Sequence, residues 1–451
     1  MYLALSALVL RGMLVAWARD RFPPADDGSF YQVVATRIAH GLGYTWHWPD
    51  GAVTYAAHYP VGYPALIGVA YALFGSTPSV AMSLNAVIGA LSVFALHGLL
   101  ARRATRAGAL LGAALLAFHP GLVMYTPALM TEGVAAELLV VALALALWTQ
   151  DRGGSGRLLL LLGLLCGGLT LLRPQLLLMS PIFGACAVSG AFWRRARAAT
   201  GVLLVSLLTC LPWTLRNCQK MDHCAFVSAN GGWNLLIGSL PNSQGSWLPI
   251  ENESVPPPCR AVFGEVEKDR CFGRAGLDNI RRAPLAFLQL IPRKLSVTFD
   301  YFGAAGHYLH TSNWRAFDES RKVALGVVET LWVRLILLLA IAQAALAHGP
   351  RRVTRLTVSA LSLPFVFLRP AWLGYLGFVL AVCLLGSALA RRPVLFVTAC
   401  LVLTTAVTHA LFFGAGRYGL VCAALLCAAA VNEAGLTSSS VVEGTPSGSG
   451  A

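Results

Sequence analysis

Charge is what this sequence has least of. Asp, Glu, Lys and Arg make up only 12% of its 451 residues, and 20 of those residues are acidic; an ordinary soluble domain carries roughly 25% charged residues. A surface wetted on all sides cannot be built from so few charges. The 57% hydrophobic content and mean hydropathy of +0.66 point instead to a lipid solvent. Also missing are the ~10-residue alternating segments of a transmembrane barrel, whereas several apolar runs approach the ~20 residues a helix needs to cross a bilayer. The sequence therefore predicts an all-α polytopic membrane protein.

Cofactor motifs are absent as well. There is no Walker A loop, no HExxH and no paired-cysteine zinc spacing. "GAGRYG" at 414–419 fits the pattern GxGxxG, yet it trails an apolar run with no βαβ unit around it. His307 and His310 have no evident further metal ligands, and "NES" at 252–254 would accept a glycan only in a eukaryotic secretory pathway. No cofactor is required by these residues.

What is present is a pattern of basic clusters. The net charge of +14 would suit nucleic acid if it lay along one soluble face, but it does not. "ARRATR", "DRGGSGR", "WRRARA", "GPRRVTR" and "ARRP" recur at alternate ends of apolar runs, as the positive-inside rule expects of cytoplasmic loops. With those clusters inside, spans fall near 2–19, 78–101, 107–124, 128–150, 158–173, 175–192, 199–216, 323–347, 356–369, 371–390, 394–413 and 417–434. That is about twelve, within a range of ten to thirteen because two are short for a bilayer. The first run contains Arg11 and lacks both a basic head and a small-residue cleavage pattern, so it reads as a retained span rather than a signal peptide.

Four regions follow: an N-terminal transmembrane module (1–216), an external loop subdomain (217–322), C-terminal transmembrane helices (323–434), and a Ser/Gly-rich tail (435–451) expected to be disordered and cytoplasmic. The first external loop, 20–77, carries Phe30, Tyr31, Val34, Ile38 and Leu42 at spacings of three or four, the signature of an amphipathic helix. A turn and a short apolar helix follow at 58–75, read as re-entrant or surface-lying. In the second loop Cys218, Cys224, Cys259 and Cys271 sit where an oxidising compartment permits disulfides such as 218 with 224 and 259 with 271. The other seven cysteines lie in apolar runs and read as small core residues.

Ionisable groups at span ends are costly unless paired, solvated or used. On this topology Asp26, Asp27, His58, Glu132, Arg173, Arg216, Arg369 and Arg417 all fall on the external face, where positive-inside gives no reason for the arginines. Asp27 either caps the following helix or acts as a general base, with Asp26 taking the other role. Glu132 is either a carboxylate favoured by a helix N-terminus or a second site carboxylate that orients the acceptor or holds a cation. Arg216 and Arg417 are either snorkelling residues or guanidiniums for a phosphate.

These residues share one pattern. Asp27 followed by Tyr31 and by "GLGY" at 41–44, then "HYPVGYP" with His58 and Tyr63, "LMTEG" with Glu132, and "LLRP" with Arg173 stand in order along the chain. "PWTLRN" with Arg216 and Asn217 and "GAGRYGL" with Arg417 and Tyr418 complete the series. Over roughly 20–425 the chain resembles polytopic GT-C glycosyltransferases, in particular glycosyltransferase family 39 with its protein O-mannosyltransferases and aminoarabinose transferases. Many members of that family have Glu directly after the catalytic Asp. Here the position is Gly28, which leaves the neighbouring carboxylate's role open, with Asp26 as the substitute.

The resemblance implies a GT-C bundle and inverting transfer of a monosaccharide from a polyprenyl-phosphate donor to a lipid, glycan or protein acceptor at the external face of a bacterial inner membrane. Asp27 would be the base, with Asp26 and Glu132 beside it, and Tyr31, His58, Tyr63, Arg173, Arg216, Asn217, Arg417 and Tyr418 would contact substrate. Some relatives use a divalent cation, so a metal is left open. The competing class is a transporter or lipid-linked-sugar flippase, which should show repeat-like halves and helices broken near the midplane; a third is a noncatalytic member of an envelope-assembly complex.

Overall fold

The computed structural model describes residues 1–431; the expected tail at 435–451 lies outside them. A helix stands at each position where a span was expected. Six are long and apolar enough to cross a bilayer: Pro78–Leu100, Arg106–Met124, Thr131–Asp151, Phe192–Lys220, Glu319–Leu346 and Pro393–Leu411. Other expected positions hold shorter apolar helices, among them Tyr2–Ala18, Gly156–Leu172, Trp372–Cys383 and Gly416–Ala429, whereas the span expected at 356–369 is divided between the amphipathic Arg352–Ser362 and the short Pro364–Phe367. The chain is thus a helical integral membrane protein. Its large core is built from the inward faces of these helices, with Leu139, Leu143, Leu337, Phe378 and Leu425 all fully buried.

The first helix is tied into that core by Arg11, the ionisable residue within its apolar run. Arg11 is 1% exposed, and its guanidinium pairs with Glu137 at 2.8 Å while donating to the Leu122 carbonyl and Thr126 Oγ1, each at 2.9 Å. A charge in apolar surroundings has to find partners of this kind.

The amphipathic helix predicted from 30 onward runs Asp27–Ala39 and buries Tyr31, Val34 and Ala35. Leu42, expected on the same stripe, lies beyond the helix and is 54% exposed. The helix packs along Gly62–Phe74. Between the two comes an element the helical reading did not include, an antiparallel hairpin of Thr45–His47 with Val53–Tyr55. Its tip carries Asp50 and Gly51, the latter at φ 86°, a turn pair that reverses a strand readily.

In the second long loop, helices Gly231–Ser239 and Glu265–Arg282 pack on one another. Cys218 is disulfide-bonded to Cys224, and Cys259 to Cys271. The loop does not stand apart from the bundle. Its small core of Leu236, Ile237, Ile250 and Phe272 includes Phe413 and Tyr418 from the last helical hairpin, and Phe299, Phe302 and Tyr308 belong to the main core.

The run "GAGRYG" finds its explanation here. A Cβ at Gly414, Gly416 or Gly419 would lie 2.1, 2.3 or 2.5 Å from backbone oxygens of Lys294, Tyr301 or Thr298. These glycines let the last helix start against the 294–302 backbone. Lys294, fully buried, donates to the Ala410 and Leu411 carbonyls and so closes the end of Pro393–Leu411.

Candidate functional site

Four helix ends converge beside the two long loops. Asp27 opens its helix, and Glu132 is the second residue of Thr131–Asp151; both carboxylates sit where the macrodipole favours negative charge. Arg173 lies just past Gly156–Leu172, which stops there because Pro174 holds the preceding residue extended, at φ −146° and ψ 106°. Arg417 enters on the first turn of Gly416–Ala429 after extended Ala415. A cation at a helix start opposes the dipole, so Arg417 depends on its partners.

Those partners form a row of alternating charge. Asp27 Oδ2 pairs with Arg417 Nη1 at 2.9 Å, Arg417 Nε faces Glu132 Oε1 at 3.5 Å, and the same Glu132 oxygen meets Arg173 Nη1 at 2.9 Å. Two carboxylates and two guanidiniums sum to zero. Glu132 is 2% exposed, and its other oxygen accepts from Tyr125 Oη at 3.2 Å; Arg173 also donates to Thr131 Oγ1 at 2.9 Å. Asp27, by contrast, keeps a quarter of its side chain open, at 23%. Both guanidiniums lie against the Tyr418 ring, at 5.3 and 5.2 Å from its centre, and His409 stacks on that ring at 4.1 Å.

Asp27 has a second partner that sequence reasoning missed. Tyr59 Oη donates to Asp27 Oδ1 at 2.8 Å. Burial, followed by the Asp27 charge, pushes the Tyr59 phenol well above its ordinary range, so it stays protonated and able to donate. Tyr31 is raised for the same reasons. Burial lowers His58 while Asp27 opposes the shift. Tyr59 stands within "HYPVGYP" directly after His58, and the motif's own Tyr drew attention to Tyr63 instead.

The row floors a cavity of ≈ 1260 Å³. Asp27, Tyr31, His58, Glu132, Arg173, Arg417 and Tyr418 line it. One wall is apolar, with Leu178, Val407, Leu411 and Phe412; the loops contribute Trp48, Trp233, Phe263, Glu265 and Lys268. Leu178, Val407 and Leu411 are also 56%, 49% and 48% exposed, so this wall is part of the outer apolar face of the bundle.

Four expected residues do not reach the cavity. Tyr63 is fully buried behind Tyr31 and donates to Asn85. Asn217 is buried and bonds the Ala225 carbonyl. Arg216, expected at a phosphate, donates instead to the Tyr44 and Ala56 carbonyls at 2.7 and 2.8 Å and lies against Trp213.

Asp26 faces away from Asp27's partners, with His307 Nε2 at 4.0 Å, and makes no side-chain cap. Its φ of 49° is rare for a residue with a Cβ. Asp26 does not line the cavity, and position 28 leaves no room for a side chain. The space is closed by Tyr308: a Cβ on Gly28 would lie 2.9 Å from Tyr308 Oη and 3.1 Å from the Leu129 carbonyl. Tyr308 Oη in turn accepts from the Ala25 and Leu129 amides, each at 3.3 Å.

A divalent cation does not fit this donor set. Arg417 already occupies the position between Asp27 and Glu132, and no group of three or more His, Cys, Asp or Glu able to hold a metal occurs among the described residues.

No protein-family model and no curated protein sequence matches the chain. Among solved structures it is similar to the archaeal oligosaccharyltransferase AglB from Archaeoglobus fulgidus in complex with an inhibitory peptide and a dolichol-phosphate, at 15% identity and a TM-score of 0.46, over 95% of this chain and 50% of that one. It is also similar to the Archaeoglobus fulgidus oligosaccharyltransferase tethered to an acceptor peptide containing the NVT sequon, at 13% identity and a TM-score of 0.47, over 95% and 49%. AglB is a GT-C-fold glycosyltransferase. The chain spans about half the length of these proteins.

Proposed function

We propose that this chain is an inverting GT-C-type membrane glycosyltransferase, of the family 39 kind, that moves a monosaccharide from a polyprenyl-phosphate donor to a lipid, glycan or protein acceptor. The observation that carries the reading is the row Asp27–Arg417–Glu132–Arg173 at the floor of a cavity with an apolar wall. A lipid-linked sugar phosphate needs that combination: hydrocarbon contacts for the chain, guanidiniums for the phosphate, and an ionised carboxylate beside them.

In this reading the acceptor's hydroxyl or amine attacks the anomeric carbon from the face opposite the phosphate. The bond from that carbon to the phosphate oxygen breaks, its electron pair leaves with the oxygen, and the acceptor proton passes to Asp27. Tyr59 and Arg417 hold Asp27 in its orientation, each on one carboxylate oxygen. Arg417 and Arg173 meet the charge that develops on the departing phosphate. Glu132, buried and bonded to both guanidiniums, aims them and holds neither the acceptor nor a cation. Arg173 takes the role first expected of Arg216.

The test is transfer by membranes supplied with undecaprenyl-phosphate monosaccharides, together with mass spectrometry of envelope lipids and glycoproteins with and without the protein. Loss of one modification in the absence of the chain and in Asp27→Asn supports the reading. Equal transfer by Asp27→Asn sinks it.

A further inference from the structure

One peptide group in the first long loop is held at both ends by charged side chains. Arg216 Nη1 donates to the Ala56 carbonyl at 2.8 Å, and Glu265 Oε2 accepts from the Ala57 amide at 2.5 Å. That oxygen and that N–H belong to the same peptide plane. The next carbonyl, of Ala57, accepts from the Ala229 amide at 2.7 Å, and the Tyr59 carbonyl accepts from Tyr44 Oη at 2.8 Å. Every contact in this set reaches the strip 56–59 from elsewhere in the chain, and the strip ends in Tyr59, the donor to Asp27.

The two charged groups lie beside or within the two disulfides, Arg216 near the end of helix Phe192–Lys220 that leads into the second loop and Glu265 in that loop. Arg216 precedes the Cys218–Cys224 bridge by two residues, and Glu265 lies inside the Cys259–Cys271 bridge. Asp222, within the first bridge, accepts from the Glu267 amide at 2.9 Å and so joins the two segments. A hydrogen bond to a charged group is stronger and more directional than a neutral one. Neither Arg216 nor Glu265 contacts Asp27, and Arg216 does not line the cavity.

We propose that Arg216 and Glu265 are positioning residues, which clamp the Ala56–Ala57 peptide and thereby hold Tyr59 against Asp27. The disulfide-bonded loop is then part of the machinery of the site and more than a cover over it. The inference rests on the proposed function for its meaning, but its geometry can be tested without turnover.

The experiment uses the full chain in detergent, with hydrogen–deuterium exchange over 53–60 and binding of undecaprenyl phosphate as the probe. In Glu265→Ala, exchange in the 56–60 strip rises at least about tenfold, as expected when a charge-assisted bond is lost. Glu265→Gln, which keeps a carbonyl acceptor, restores most of the protection. Arg216→Ala and Arg216→Lys behave as the same pair. In Arg216→Ala, undecaprenyl phosphate binds within about twofold of the parent, whereas Arg417→Ala weakens it by about tenfold or more.

Unchanged exchange in Glu265→Ala, or a tenfold loss of binding in Arg216→Ala, overturns the clamp. Unchanged binding in Arg417→Ala leaves the clamp standing and overturns the phosphate role of the floor, so the two failures are distinct. Once a donor is in hand, Glu265→Ala lowers kcat and leaves the donor KM in place; a rise in KM alone overturns the assignment.

Discussion

Replacing Asp27 with Asn removes the carboxylate while keeping its shape. The side-chain carbonyl can still accept from Tyr59, but the amide has no charge to offer Arg417 and no basic oxygen to offer an acceptor proton. Loss of a general base costs about 10²–10⁴ in rate, which is about 3–5 kcal/mol on the barrier. The cost in stability is much smaller. The ion pair is part-exposed, at 23% and 28%, so solvent screens it, and Arg417 retains Glu132 at 3.5 Å; a loss of about 1 kcal/mol is expected after that discount. Purified protein in nanodiscs would be assayed for transfer from an undecaprenyl-phosphate monosaccharide, beside a thermal unfolding scan in the same nanodiscs. The reasoning requires transfer to collapse while the unfolding midpoint moves by at most a few degrees. Transfer within tenfold of the parent refutes Asp27 as the base, and a collapsed midpoint refutes the claim that the pair is mainly functional.

Glu132→Gln behaves in the opposite way: with Glu132 only 2% exposed and Arg173 left without an anionic partner, stability falls by about 3–5 kcal/mol, read as a sharply lowered unfolding midpoint; a midpoint equal to that of Asp27→Asn contradicts this. Gly28→Ala places a Cβ 2.9 Å from Tyr308 Oη and costs about 1–3 kcal/mol by overpacking, and adding Tyr308→Phe recovers part of the loss, which a double-mutant cycle would detect as coupling of at least about 0.5 kcal/mol. Asp26→Gly relieves the φ of 49° and raises stability by about 1 kcal/mol with transfer kept within about twofold; a loss of transfer on the scale of general-base removal would return Asp26 to the list of essential carboxylates.

The site was partly legible in the chain. Asp27, Glu132 and the late Arg417 stood out because each is an ionisable group at the edge of an apolar run, where charge has to be used or paired. The two disulfides were legible from four cysteines collected in one polar loop. Tyr59 was not legible, since a tyrosine beside a turn carries no local mark of the carboxylate it will meet; its partner is 32 positions away. Arg216 was misread for a related reason. The segment "PWTLRN" shows a cation at a helix end, but whether that cation faces a cavity or the carbonyls of residues 44 and 56 depends on a loop about 160 residues earlier. Gly28 stands out in the sequence only as a departure from a family pattern; the structure adds that Tyr308 fills the space a side chain there would need.

Hydropathy and span length are local properties, so the sequence by itself determined the solvent of this protein, its helical class and the positions of its helices. The hairpin at 45–55 escaped that reading because it is short and lies where lipid sets no rule. Tertiary structure alone decided which charges meet. Arg417 and Asp27 are 390 residues apart, and nothing in either segment specifies that the two helix starts will be packed side by side. That juxtaposition comes from the burial of apolar faces across the whole bundle, which sets where helix ends fall and therefore which side chains neutralise one another at the floor of the cavity.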